Sequence, residues 1–232
     1  MGRLALLLLA SIGPGLLWLW YFYRQDRFEP EPVKLILKVF FTGILLVIPA
    51  GLLEQVWRGQ LMNAVKNADW LSFLALSFFV ISLVEEGLKT VTLWWLVGHS
   101  PELNEPVDGI IYGITLGLGF ASLENLLWAS AFGFGVALLR AVVTTLAHAS
   151  FTGWMGHYIS RFRLGEGGAP GKQQQAVLWK GFLFVFVSHG LYDFLLFLRN
   201  PLSSLIAFLL IATMLVLLYR LLRRQVTASP FR

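Results

Sequence analysis

A chain of 232 residues that is 57% hydrophobic, 15% aromatic and 13% charged, with a mean hydropathy of +0.70, has the composition of an integral membrane protein. The net charge of +5 lies on lysines and arginines scattered over loop ends with no contiguous patch, which argues against nucleic-acid binding. Cysteine is absent, which excludes disulfides and thiolate metal sites.

Apolar runs of bilayer length, about 20 residues, are predicted as helices at 4–23, 35–56, 70–98, 108–132, 135–159, 176–198 and 202–222. The fold class is therefore all-α integral membrane, a single bundle of about seven transmembrane helices over residues 1–232. The first run is too long for a signal-peptide core and lacks a clear small-x-small cleavage site, so it reads as a span. Residues 24–34 are polar and broken by prolines, residues 57–69 read as a short surface helix, and the Gly-rich stretch 161–175 reads as a flexible loop. Arg24, Arg27 and Lys34 follow span one, Arg161, Arg163 and Lys172 follow span five, and Arg223, Arg224 and Arg232 follow span seven. The positive-inside rule then places the protein in the cell membrane with its N-terminus outside and its C-terminus cytoplasmic.

Span three carries Glu85, Glu86 and Lys89 in otherwise lipid-grade sequence. A charged side chain at the bilayer centre costs roughly 2.5–3.5 kcal/mol on insertion scales, so such residues face a bundle interior or a wet cavity. Glu85 and Lys89 are one turn apart and share a face, and Glu86 points about 100° away. The pair suits a general base and a general acid; the plainer alternative is a structural ion pair with Lys89.

Span four repeats small residues at Gly109, Gly113, Gly117 and Ala121, a stripe read as close helix packing, and places Glu124 near the same face, followed by Asn125. Asp108 reads as the N-cap of this span. Span five presents Arg140, Thr144, His148 and Thr152 at steps of four, and span six sets His189 one turn before Asp193. An Asp so placed orients the imidazole and fixes its tautomer. His99 and His157 read as interfacial, Glu54 as solvated at the end of span two, and Glu102 and Glu105 as a short acidic loop. At 1.5 Å rise per residue, Glu85, Glu86, Glu124, His148 and His189 all come within a few Å of the midplane. Four helices within about 70–198 thus present acids and imidazoles at one level, the expectation for one site.

These residues resemble the PrsW family of intramembrane proteases. The matches are Glu85-Glu86-Gly87-Leu88-Lys89, Asp108 to Gly113 with Phe120 to Asn125, His148 to Gly153, and His189 to Asp193, in the family's order. The family is similar to the type II CAAX prenyl endopeptidases and, distantly, to the Aph scaffold subunit of γ-secretase. The CAAX enzymes carry Arg one place later in the first motif and His where this chain has Glu124, which argues against a prenyl-cysteine substrate. The resemblance implies peptide-bond hydrolysis in or beside the membrane segment of a single-span protein such as an anti-sigma factor.

The expected catalytic set is Glu85, Glu86, Glu124, His148, His189 and Asp193, with Lys89 and Asn125 in support. In the glutamic version Glu85 activates water, Glu86 or Glu124 handles the proton, and His148 and His189 polarise the carbonyl, with no cofactor. In the metal version Glu124, His148 and His189 hold zinc. A proton- or metal-coupled transporter and a non-catalytic scaffold are the other readings.

Overall fold

The computed structural model describes residues 2–165 and 172–232. The chain folds as α1 (Gly2–Tyr23), α2 (Val33–Gln55), α3 (Arg58–Asn67), α4 (Trp70–Leu76), a π-helical segment (Ser77–Ser82), α5 (Leu83–Val97), α6 (Pro106–Phe132), α7 (Phe134–Arg163), α8 (Lys172–Phe197) and α9 (Pro201–Thr227). Among the described residues, seven helices are long and apolar enough to cross a membrane, with α4, the π segment and α5 forming one of them, Trp70–Val97. Large apolar side chains such as Leu17, Phe41, Val91 and Leu139 stay exposed on the bundle's outside, as a lipid solvent permits. The predicted surface helix is α3. Of the loop read at 161–175, residues 161–163 belong to α7 and 172–175 to α8, and residues 166–171 lie outside the described residues.

Local chemistry sets the helix starts. The Asp69 carboxylate accepts from the Leu71 and Ser72 amides at 3.1 and 3.2 Å, capping α4. Asn200 does the same for α9 through Ser203 at 2.9 Å, and Pro201 takes the first turn. At α6 the helix begins earlier than the sequence pattern suggests. Pro106 occupies the first turn, Glu105 is the N-cap, and Asp108 sits three residues in. Asp108 Oδ2 reaches back to the Asn104 and Glu105 amides at 2.8 and 2.7 Å, the reach-back half of a capping box.

The centre of the bundle is α6, buried continuously from Val107 to Ser122 and packed on α1, α2, α5, α7 and α9. Its glycines explain how neighbours come so close. A methyl group at Gly113 would meet the Thr152 carbonyl oxygen at 2.2 Å, and one at Gly156 of α7 would meet the Gly109 carbonyl oxygen at 1.8 Å. The predicted small-residue stripe is therefore the α6–α7 contact, and it holds the two backbones together just below Glu124 and His148. On the opposite side of α6, Gly119 lies against the Phe40 carbonyl of α2, where a methyl group would come within 2.1 Å.

One end of the bundle carries the loop between α1 and α2, the loop before α6, and the C-terminus; with Arg24, Arg27, Arg161, Arg163, Arg223 and Arg224 it is the basic face. Beneath those arginines, Asp26, Glu31, Glu105 and Asp108 are all buried. Burial, with the Asp108 carboxyl beside it, pushes Glu31 up to about 9, and burial also raises Asp26 and Glu105 above the usual carboxylate range. Glu31 Oε2 accepts a hydrogen bond from the Tyr112 hydroxyl.

Candidate active site

Glu85, Glu86 and Lys89 all lie in the first two turns of α5 and are buried, with 5%, 0% and 0% exposure. Lys89 Nζ donates to Glu85 Oε2 at 2.8 Å, to Glu86 Oε1 at 3.0 Å and to His148 Nδ1 at 2.9 Å. An ammonium has three donors and no acceptor, so all of its capacity is used. The Phe120 ring, 4.0 Å away at its centroid, closes a further side.

This arrangement fixes the tautomer of His148. Because Nδ1 accepts from Lys89, the ring proton resides on Nε2, which donates to Glu124 Oε2 at 2.8 Å. Glu124 Oε1 is in turn ion-paired with Arg140 Nη2 at 2.7 Å and accepts from the Trp128 indole at 3.0 Å. Arg140 Nε donates to Asn125 Oδ1 at 3.0 Å, and the Asn125 amide donates to Thr145 at 2.9 Å. Asn125 is therefore a brace for Arg140.

The second imidazole comes from α8. His189 Nδ1 lies 2.8 Å from Glu86 Oε1, and its Nε2 lies 3.3 Å from Asp193 Oδ2. Phe151 stacks on the ring at 4.8 Å, and the two imidazoles meet edge to face at 5.6 Å. Four helices thus bring all six sequence-predicted acids and histidines, with Lys89 and Asn125, into one connected polar network. Glu85, Glu86, His148 and His189 form its inner group, each offering a ligand atom within 4.8 Å of the others; Glu124 stands outside that group.

Exposure grows in one direction. The side chains of Glu86 and Lys89 are sealed, Glu85 is 6% exposed, and Glu124, Arg140 and Asp193 reach 18%, 16% and 16%. These last three point toward the end of the bundle opposite the basic face. Glu54, near the end of α2, belongs with them. Far from being solvated, its Oε1 is buried without a hydrogen-bond partner, and the residue lies within electrostatic reach of Glu85, Glu124 and Asp193. Sequence reasoning misses Glu54 because a carboxylate at the end of an apolar run ordinarily reaches water. It misses the π segment too, since nothing in the composition marks one. There the Ser82 hydroxyl donates to the Phe186 carbonyl at 2.7 Å, tying α8 to the helix that carries the glutamates.

The profile of the family described as PrsW family intramembrane metalloprotease matches residues 31–220. The chain is similar to "Protease PrsW" of Geobacillus kaustophilus (strain HTA426), 34% identical over 194 residues, covering 84% of this chain and 81% of that one. It is likewise 33% identical to the Oceanobacillus iheyensis (strain DSM 14371) "Protease PrsW" over 217 residues, covering 94% and 95%, and 34% identical to that of Bacillus subtilis (strain 168) over 189 residues, covering 81% of each. No solved structure matches it significantly.

Proposed function

The chain belongs to the PrsW family of intramembrane metalloproteases, and on that premise we propose that it hydrolyses a peptide bond in or beside the membrane segment of a single-span protein, such as an anti-sigma factor, using water activated by Glu85. The observation that carries the mechanism is the Lys89 tripod. It holds Glu85 through Oε2 alone, and Glu85 is the least buried of the three charged residues on α5.

Glu85 takes a proton from water as the water oxygen attacks the scissile carbonyl carbon. The negative charge that develops on the carbonyl oxygen meets the Nε2 proton of His148, which Glu124 holds in place until substrate displaces it. His189, positioned by Glu86 and Asp193, adds a second donor. The C–N bond then breaks, Glu85 returns its proton to the departing amine, and a carboxyl and an amine terminus result. Lys89 supplies the countercharge to Glu85 and Glu86, and Arg140 with Asn125 fixes Glu124. The rising exposure of Glu124, Arg140 and Asp193 supports water arriving from the face opposite the arginines, the non-cytoplasmic face on the positive-inside reading.

The family's printed description implies a metal. The donor types of Glu85, Glu86, His148 and His189 suit one, yet the residues as arranged do not fit it. The Lys89 ammonium lies within 3.0 Å of donors from three of these residues and fills the space an ion needs among them.

The test uses detergent-purified protein incubated with a pool of single-span bacterial membrane segments, with new termini read by mass spectrometry against Glu85→Gln. Cuts made by the wild type, spared by the variant and persisting in chelator support the glutamate reading. Cuts abolished by chelator overturn it in favour of a metal. A folded wild-type sample that cuts nothing the variant spares favours the transporter or scaffold reading.

A further inference from the structure

A cavity of about 600 Å³ opens at the basic face between α7, α9 and the start of α6. Arg161 lines it from the last turn of α7, Arg224 from the last turn of α9, and Pro106 from the first turn of α6. Deeper in the membrane the two long helices close on each other. A methyl group at Gly153 of α7 would meet the Leu218 side chain at 2.7 Å, and the Trp154 indole donates to the Met214 carbonyl at 3.2 Å. The two spans run to Arg163 and Thr227, so the cavity and its arginines lie at the level of the lipid headgroups.

Arginines at the end of a span ordinarily need no ligand, since water and bulk headgroups solvate them. Three features set these two apart. They come from different helices and line one concave site, whereas their neighbours Arg163 and Arg223 do not. The walls of that site are fixed in advance. Gln225 of α9 bonds His157 of α7 at 3.1 Å, and the Ser160 hydroxyl of α7 donates to the Pro106 carbonyl at 3.0 Å. Arg224 also has no carboxylate within ion-pair distance among the described residues. Glu105 is the only acid among the described residues of the wall. It is buried, and burial raises it above the usual carboxylate range, so it opposes an anion less than an ordinary carboxylate does.

We propose that this cavity binds the phosphate of an anionic phospholipid headgroup between Arg161 and Arg224. A guanidinium presents paired donors that match phosphate oxygens, and basic pockets between spans on the cytoplasmic side are suited to lipid headgroups. The volume falls within the range of small-ligand sites, about 300–1,000 Å³. The rest of the wall favours a lipid over a free phosphate. Leu221 lies one turn deeper than Arg224 and Gln225 on the same face of α9, and Leu217, 47% exposed, lies one turn deeper again. That face runs from guanidinium to hydrocarbon in the same order as a phospholipid runs from headgroup to chain. The bound headgroup ties the ends of α7 and α9 together. The inference does not depend on the protease reading.

The experiment uses the full-length protein, delipidated in detergent and titrated separately with phosphatidylglycerol, phosphatidylcholine of the same chains, and inorganic phosphate while thermal unfolding is followed. The expected result is a saturable rise of several degrees in melting temperature with phosphatidylglycerol, as mass action requires of a ligand that binds only the folded state. Phosphatidylcholine and inorganic phosphate should need at least about tenfold higher concentration for the same rise, a tenfold change in affinity being the scale of one charge-assisted contact. Native mass spectrometry should retain one phosphatidylglycerol per chain. Arg161→Gln with Arg224→Gln is expected to abolish both signals. Arg163→Gln with Arg223→Gln, which removes the same charge from the same face outside the cavity, is expected to keep them. Melting without lipid shows whether each pair is folded, and the wild-type titration stands independently of any variant. No response to phosphatidylglycerol, or an equal response to phosphatidylcholine, overturns the proposal. An equal response to inorganic phosphate overturns the lipid as occupant. Equal losses in the two pairs of variants overturn the site itself, since diffuse surface charge then accounts for the binding.

Discussion

Replacing Lys89 by methionine tests the central claim about the site most directly. Methionine keeps the length and apolar stem of the side chain while removing the ammonium and its contacts at 2.8, 3.0 and 2.9 Å, together with its seat 4.0 Å above Phe120. Glu85 and Glu86 are then left as neighbouring buried carboxylates without their counter-ion. Breaking a buried ion pair by removing one partner costs about 3–5 kcal/mol, because the remaining charge is stranded. Lys89→Met is therefore expected to lose that much stability in reversible unfolding with SDS in mixed micelles, and to lose proteolysis altogether. Adding Glu86→Gln removes one stranded charge and should return part of the loss, giving a coupling of roughly 0.5–3 kcal/mol in a double-mutant cycle. Stability within about 1 kcal/mol of wild type, the ordinary scale of one hydrogen bond, would refute the tripod as the organiser of the site. Undiminished cleavage would refute it equally.

Gly156→Ala forces a methyl group to 1.8 Å from the Gly109 carbonyl and is expected to destabilise by about 1–3 kcal/mol or more in the same unfolding assay. Gly51→Ala in α2 meets nothing within 4 Å and should stabilise by up to about 1 kcal/mol. Arg140→Ala removes a charged partner of Glu124, an interaction worth about 1.5–3 kcal/mol. It should slow turnover by about tenfold to a hundredfold, with Arg140→Lys restoring part of the rate. The Ser72 hydroxyl and the backbone amides of Ser72 and Leu71 hold the Asp69 carboxylate below its ordinary value, so its capping is fully present above the unfolded aspartate range. As pH falls through the lowered folded value, that contribution is lost. Hydrogen exchange at Leu71 and Ser72 should quicken in strongly acidic buffer in the wild type and show no such titration in Asp69→Asn.

Most of the spans and the core of the site were legible because lipid makes the sequence signals unusually sharp. Apolar runs of bilayer length seldom arise in chains that do not span a membrane, and Glu85, Glu86, Glu124, His148 and His189 are too costly there to be decoration. The glycine stripe on α6 likewise announced close packing, and Gly113 and Gly156 show it. The features that sequence reasoning misses depend on partners distant in the chain. Arg140 stood on a recognised polar stripe, but nothing local showed that it would grip Glu124 and Asn125. Glu54 needed the approach of α5, α6 and α8 before it became a residue of the site. Asp108 reads in sequence as the N-cap of its helix, whereas Glu105 holds that position and leaves Asp108, three residues in, to reach backward. The buried acids at the basic face meet only because the loop after α1 folds over the start of α6, a juxtaposition that residue spacing does not encode.

The π segment at Ser77–Ser82 has a consequence for how this gene can change length. A π turn arises when a helix takes up one surplus residue, its bonds running to the fifth neighbour instead of the fourth, while the helix on either side keeps its facing. Deleting a single residue within 77–82 should let the stretch regularise, with α4 and α5 still presenting the same sides to their neighbours. Deleting Gly87 or Leu88, between the glutamates and Lys89, would turn Lys89 by about 100° relative to them and break the tripod. The indel tolerance of this span is thus confined to one turn, set immediately ahead of the residues that have least freedom to move.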